Sequence, residues 1–80
     1  MIILAYDIGT TGVKTCLFRL IESDSPEGMS INLEDSNFAS YSLSILPNGG
    51  VEQNPQEWWD AMCKTTRQLV SHNPETCAQI

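Results

Sequence analysis

The sequence predicts a small α/β domain in which an antiparallel meander of three strands is followed by one helix. Three observations lead to this prediction. An apolar run turns back at a glycine-rich turn, a later stretch alternates between apolar and polar residues, and a third stretch has apolar residues at helical spacing. With 80 residues and a hydrophobic content of 41%, the chain has the size and composition of one globular domain.

The first two strands are predicted on either side of the turn. Residues 2–6 are apolar and indicate a buried strand that leads into Asp7. The second strand is predicted over residues 13–21. Its two faces are formed by Val13, Thr15 and Leu17 on one side and by Cys16, Phe18 and Leu20 on the other. Because both faces are largely apolar, this strand is expected inside a covered sheet.

The third strand is predicted after a long acidic loop. Residues 22–36 are rich in Ser, Asp, Glu, Pro and Gly, and residues 24–28 have the composition of a turn. A short edge strand at residues 29–33 is the most regular structure expected there. The third strand itself is predicted over residues 38–46. Its apolar row is Ala39, Tyr41, Leu43 and Ile45, which alternates with three serines.

The helix is predicted from the residues that begin and end it. Asn54 suits the N-cap, Pro55 suits the first helical position, and Glu57 completes a capping-box-like pattern. Asn73 followed by Pro74 ends the helix. The predicted core face consists of Trp59, Met62, Cys63, Thr66, Leu69 and Val70.

The turn between the first two strands carries the candidate site. Its glycines are expected to adopt backbone angles closed to other residues and to let a ligand approach the main chain. Its N–H groups and threonine hydroxyls suit an anion, its lysine adds a positive charge, and its aspartate suits Mg²⁺. The residues concerned are Asp7, Gly9, Thr10, Thr11, Gly12 and Lys14. The pattern indicates a nucleotide phosphate site, although the same residue types also occur in ordinary hairpin turns.

Composition excludes several classes of partner and site. A net charge of −6, with only 4 Lys and Arg residues, argues against nucleic acid or an anionic membrane surface as the partner. No apolar run approaches the roughly 20 residues of a membrane helix. The 3 cysteines form no C-x-x-C pair, so neither a disulfide framework nor a zinc site is expected. Cys16 and Cys63 are expected as buried thiols, and a cytoplasmic location is predicted.

Two stretches together resemble the carbohydrate kinases of the FGGY family, most closely the xylulose kinases. Residues 6–14, YDIGTTGVK, are similar to the first phosphate loop of that family. Residues 50–59, GVEQNPQEWW, are similar to its G-W-V-E-Q-D-P-x-x-W-W segment, without the aromatic residue after the glycine and with Asn54 in place of Asp. The phosphate loop alone is shared with actins, heat-shock chaperone ATPases and other sugar kinases. The second stretch narrows the resemblance to the FGGY family.

The resemblance implies a ribonuclease-H-like domain of a two-domain kinase that transfers the γ-phosphoryl group of ATP to a hydroxyl of a ketose such as xylulose. Residues 1–80 would be the amino-terminal part of the first domain. Asp7 would hold Mg²⁺, Lys14 would be catalytic, and Glu52 and Gln53 would help at the sugar site. The phosphates would be bound by Gly9, Thr10, Thr11, Gly12 and Lys14.

Two other interpretations stay open: an actin-like or chaperone-like ATPase segment, and an interaction module without catalysis. The general base that the resemblance implies lies outside these residues, so the chain alone is expected to be inactive. Residues 75–80 look like the approach to a fourth strand. One helix covers one face of a three-stranded sheet, and the chain is therefore predicted to self-associate through its bare face or edge.

Overall fold

The computed structural model describes residues 1–24 and 28–80 of the chain. It confirms the predicted α/β class, because an antiparallel three-stranded meander precedes a long helix. The meander consists of β1 (Ile2–Ile8), β2 (Gly12–Glu22) and β3 (Met29–Ser40), with β2 in the middle. A separate hairpin of β4 (Ser44–Ile45) and β5 (Val51–Glu52) follows, and then helices α1 (Pro55–His72) and α2 (Pro74–Cys77).

The central strand β2 has the two faces that its sequence predicts. Val13, Thr15 and Leu17 are fully buried, and α1 packs against this side of β2 and β3. A hydrogen bond of 2.8 Å joins the hydroxyls of Thr15 and Thr65 across this interface. The core therefore lies between α1 and one face of the sheet.

The prediction of a loop over residues 22–36 is wrong for most of this stretch, which belongs to two paired strands, whereas the short strand predicted at residues 29–33 is confirmed as part of β3. β3 begins at Met29 and pairs with β2 along its whole length, from Glu22 opposite Met29 to Gly12 opposite Ser40. This pairing satisfies the backbone N–H and C=O groups in the C-terminal half of β2, which a loop would leave without partners. The turn predicted at residues 24–28 falls mainly on residues 25–27, which lie outside the described residues.

One acidic residue of this stretch, Glu34, remains in solvent although it lies in a strand. The register of β2 and β3 shifts between Leu17 and Phe18, so that Glu34 has no residue directly opposite it. The Glu34 carboxylate accepts a hydrogen bond of 2.6 Å from the Nε of Arg19. The bulge thus turns an extra acidic residue toward a cation on the neighbouring strand.

The predicted third strand over residues 38–46 is also wrong beyond Ser40. Residues 41–43 lie in no strand, and Ser44 and Ile45 pair with β5 in the separate hairpin. The physical reason is the register: Ser40 lies opposite Gly12, where β2 begins, so the chain has no strand to pair with after that point. Ile45, predicted in the apolar row, is 75% exposed.

The start and end of α1 agree with the prediction. Of its predicted core face, Leu69 is buried, Met62, Cys63 and Thr66 are half-buried, and Trp59 and Val70 are exposed. The Asn54 side chain caps the helix by accepting the Gln56 N–H at 3.0 Å, and the N–H of Asn73 donates to the Leu69 carbonyl at the other end. The buried side chains of α1 are Ala61, Thr65 and Leu69. Trp59, predicted in the core, is 60% exposed.

α1 buries a partly different face from the predicted one because of the strands on which it lies. α1 packs mainly on β2 and β3, so the side chains spaced four residues apart along its middle meet the sheet. The stripe that includes Trp59 and Met62 lies instead beside Tyr6 of the edge strand β1, where it lines an apolar groove. Cys16 and Cys63, predicted to be buried, are half-buried free thiols.

Two further local predictions are corrected. The carboxylate of Glu57 accepts a hydrogen bond of 2.8 Å from the Ser42 hydroxyl and ties α1 to the segment after β3, instead of bonding back to the start of the helix as the capping-box pattern predicts. Residues 75–80 do not approach a fourth strand, because Pro74 begins the short helix α2 instead.

The sheet face opposite α1 is uncovered within the part of the chain that the structure describes. We call its apolar side chains the outer face. They are Ile3, Ala5, Cys16, Phe18, Leu20, Met29, Ile31, Leu33 and Phe38, which the strand registers place on the same side. Ile31, Leu33 and Phe38 are each more than half exposed. The expected bare face is therefore present.

Candidate phosphate-binding loop

The candidate site is the connection between β1 and β2, as the sequence predicts. Cross-strand pairing runs up to Ile8 opposite Val13, and residues 9–11 form the loop beyond it. The loop is closed by a hydrogen bond of 2.9 Å from the Gly9 N–H to the Gly12 carbonyl. The arrangement is a strand, a tight loop and a second strand, with no helix opening at the glycines.

All three carbonyls of the loop accept hydrogen bonds from two residues, Tyr41 and Gln53. The hydroxyl of Tyr41 donates to the carbonyl of Gly9, and the N–H of Tyr41 donates to that of Thr11 at 3.1 Å. The side-chain amide of Gln53 donates to the carbonyl of Thr10. Two residues from the segments after β3 and before α1 therefore hold the loop backbone.

The N–H groups on the other side of these peptides are available to a ligand. In a trans peptide the N–H points opposite to the carbonyl, and the chain has no cis peptide among its described residues. The N–H groups of Thr10 and Thr11 donate no hydrogen bond within the described part of the chain. Two adjacent N–H groups without protein partners on an exposed loop can bind an anion.

The two glycines serve the loop in a different way from the one predicted. Neither has a positive φ, since the described glycines with positive φ are Gly28 and Gly49. Gly12 is buried beneath the ring of Phe38, and a Cβ built on it would lie 2.5 Å from the Ala39 carbonyl oxygen. Gly12 is thus required by close packing and not by its backbone angles.

Asp7 and Lys14 lie directly opposite each other on β1 and β2, next to the loop. Both are exposed, and the alternation of the strands places them on the side away from α1, where Phe38 lies opposite Lys14. No ion pair joins them in the segments that the structure describes. The structure therefore brings the predicted cation and carboxylate to one end of one hairpin.

The Asp7 carboxylate fits Mg²⁺ as one ligand of a site that it shares with the oxygens of a nucleotide. Among the described residues, no group of three or more His, Cys, Asp or Glu side chains could hold a metal ion. Mg²⁺ often keeps several waters and is bound through one or two carboxylates together with substrate phosphates. The donor set at Asp7 suits such a shared site, in which the nucleotide supplies the other oxygens.

The two residues predicted at the sugar site lie beside the loop. Glu52 ends β5, and Gln53 follows it and reaches the Thr10 carbonyl. Both line a polar cavity of about 300 Å³ between the small hairpin and the start of α1. The other residues that line it are Ser42, Ser44, Asn54 and Glu57. Hydroxyl, amide and carboxylate groups suit a polyhydroxylated ligand.

A second polar cluster lies where α1 ends. The Asn73 side-chain amide donates to the Asp35 carboxylate at 2.8 Å, and the Ser36 N–H donates to its other oxygen. These two hydrogen bonds, with a smaller contribution from His72, lower the pKa of Asp35 below its ordinary value. This cluster joins β3 to the end of α1.

Sequence reasoning missed the role of Tyr41 in the loop and gave Gln53 a different one. The alternation predicts Tyr41 in an apolar strand row, and the family resemblance places Gln53 at the sugar site. A hydrogen bond from a side chain to a distant backbone carbonyl follows no spacing rule, because it depends on how the segments fold back on the loop. The sequence contained no pattern from which these contacts could have been predicted.

No protein-family model matches the chain, and neither a curated protein nor a solved structure matches it. Among the described residues, no helix is long and apolar enough to cross a membrane.

Proposed function

We propose that the chain is the amino-terminal segment of an ATP-dependent sugar kinase, with a ribonuclease-H-like fold, and that residues 7–14 form its first phosphate-binding loop. The observation that supports this most is which backbone groups of the loop have hydrogen-bond partners. Its carbonyls are bound by Tyr41 and Gln53, while the N–H groups of Thr10 and Thr11 have no partner in the described chain.

The chemistry of the surrounding side chains agrees with phosphoryl transfer. The loop N–H groups bind the phosphates of ATP, and Lys14 neutralises charge on the transferring group. Asp7 would hold Mg²⁺ together with the phosphates, and the ion would supply further charge neutralisation there. The polar cavity at Glu52 and Gln53 accepts hydroxyls of a ketose. Phosphoryl transfer depends mainly on such positioning and charge neutralisation.

The test is the binding of ATP by the chain with and without Mg²⁺, measured by NMR titration of the backbone amides. Shift changes should be confined to residues 7–14. Lys14→Ala should weaken the binding of Mg-ATP about tenfold, because a hydrogen bond to a charged group contributes roughly 1.5–3 kcal/mol and exposure reduces it. Lys64→Ala is the matched control, since Lys64 lies exposed on α1. Equal effects of the two variants would contradict the proposal.

The role of Asp7 is tested by the dependence of binding on the metal. Asp7→Ala should weaken the binding of Mg-ATP but should leave metal-free ATP bound as well or better, because the carboxylate repels phosphates when no cation lies between them. An equal loss in both conditions would show that Asp7 only shapes the turn. The 80-residue chain itself should show no ketose-dependent release of ADP.

A further inference from the structure

We propose that Tyr41 and Gln53 are positioning residues that preset the phosphate-binding loop for its anion. This inference rests on the proposed function, because it assigns a cause to the geometry of that same loop. Neither residue is proposed to touch the phosphates. Their side chains act on the carbonyl side of the loop, and the anion is bound on the N–H side.

The argument begins with three consecutive peptide units. The carbonyls of Gly9, Thr10 and Thr11 accept hydrogen bonds from the Tyr41 hydroxyl, the Gln53 amide and the Tyr41 N–H, in that order. Each peptide is planar, so fixing its carbonyl also fixes the direction of the N–H of the following residue. The N–H groups of Thr10 and Thr11 are thereby directed away from the two side chains that hold them.

The two positioning residues are themselves held by the fold. Tyr41 is half-buried and packs against the core cluster of Val13, Ala39 and Ala61. Gln53 is half-buried and immediately precedes Asn54, the N-cap of α1. The loop therefore takes its geometry from the end of β3 and the start of α1, although both are distant from it in sequence.

Presetting matters because an exposed loop of small residues would otherwise sample many backbone conformations. An anion that binds such a loop must first order it, and this ordering reduces the affinity. Donors that already point at the position of the charge need no reorganisation during the reaction. Removing one carbonyl contact should therefore weaken phosphate binding without removing any group that touches phosphate.

The variants for the test are Tyr41→Phe and Gln53→Ala. Tyr41→Phe removes one hydroxyl and keeps the Tyr41 N–H contact with Thr11. Tyr6→Phe is the matched control for the hydroxyl, because the Tyr6 hydroxyl bonds Thr66 on α1. Gln56→Ala is the control for the amide, because the Gln56 amide donates to Asp60 within α1.

The first measurement is the ¹⁵N relaxation of the Thr10 and Thr11 amides without ligand. Each variant is compared with a control of equal free energy of unfolding, as measured in urea. Order at these amides should fall in Tyr41→Phe and Gln53→Ala but not in the controls. The second measurement is the affinity for inorganic tripolyphosphate, which should fall about threefold or more in the same two variants. Global stability alone would not produce a loss of order confined to the loop.

The outcomes separate this inference from the proposed function. Loop amides that stay as ordered in both variants as in the unaltered chain would overturn the positioning role. Equal tripolyphosphate affinities in all proteins would overturn it as well, while leaving the phosphate loop in place. A loss of loop order combined with no tripolyphosphate binding by the unaltered chain would support the positioning contacts and overturn the proposed function.

Discussion

Replacing Thr65 alone by valine should destabilise the chain more than replacing both Thr65 and Thr15. The two threonines are fully buried between α1 and β2, and their hydroxyl oxygens are 2.8 Å apart. The Thr65 hydroxyl also lies 2.9 Å from the Ala61 carbonyl, which can only accept. Because each hydroxyl has one hydrogen, Thr65 donates to Ala61 and Thr15 donates to Thr65.

The direction of each hydrogen bond determines how much each variant is destabilised. Thr65→Val removes the acceptor and leaves the Thr15 hydroxyl buried without a partner, which costs about 1–3 kcal/mol. Thr15→Val removes the donor but leaves the Thr65 hydroxyl bonded to Ala61, so the cost should be about 1 kcal/mol or less. The double variant removes both groups, and replacing both partners by apolar groups of the same shape is nearly neutral. Its free energy of unfolding should lie within about 1 kcal/mol of that of the unaltered chain.

Urea unfolding of the four proteins, followed by the fluorescence of the tryptophans on α1, measures these differences as a double-mutant cycle. The double variant should be destabilised by about 1–3 kcal/mol less than the sum of the single variants. An unchanged dependence of the unfolding free energy on urea would show that the same surface is exposed. If Thr15→Val cost as much as Thr65→Val, or if the two effects simply added, the assigned hydrogen-bond direction would be refuted.

Three further predictions concern the loop, the polar cluster and the outer face. Gly12→Ala should lower the free energy of unfolding by about 1–3 kcal/mol, because backbone atoms occupy the space of the new methyl group. Gly9→Ala should have a much smaller effect, because its methyl group would make only an ordinary contact at 3.4 Å. Urea titration measures both. The lowered pKa of Asp35 stabilises the folded chain above the ordinary carboxyl value, and this contribution is lost as the pH falls through the lowered pKa. The difference in unfolding free energy between the unaltered chain and Asn73→Ala should therefore shrink on acidification, and a difference that stays constant down to about pH 2 would contradict the linkage. The chain should self-associate at tens of micromolar in sedimentation equilibrium through its outer face, and Leu33→Asp should shift it toward the monomer. A clean monomer for the unaltered chain would contradict this.

The sequence by itself determined the elements whose causes are local. The start of α1 depends on Asn54 and Pro55, which are adjacent to the backbone groups they affect, and the predicted N-cap is the observed one. The two faces of β2 follow from alternation within one strand, and one of them, Val13, Thr15 and Leu17, is buried against α1, although the sequence predicted both faces to be covered. The location of the candidate loop between two strands was likewise apparent from a short stretch of residues.

The length of β3 was decided by its partner. The composition of residues 22–36 is typical of a loop, yet β2 continues to Glu22 and its outer edge requires hydrogen-bonding groups opposite it. The same register ended β3 at Ser40, although the alternation in the sequence continued to Ile45. Strand pairing is a property of two segments, so a pattern within one of them could not place the ends.

The buried face of α1 and the geometry of the loop were decided in the same way. The helix has an apolar stripe through Trp59 and Met62, but its contact with β2 and β3 buries Ala61 and Thr65 instead. Tyr41 and Gln53 reach the loop only because the segments after β3 and before α1 fold back beside it. Local interactions between near neighbours are encoded in short patterns, whereas the direction of a backbone N–H at the candidate site depends on contacts between residues more than 30 positions apart.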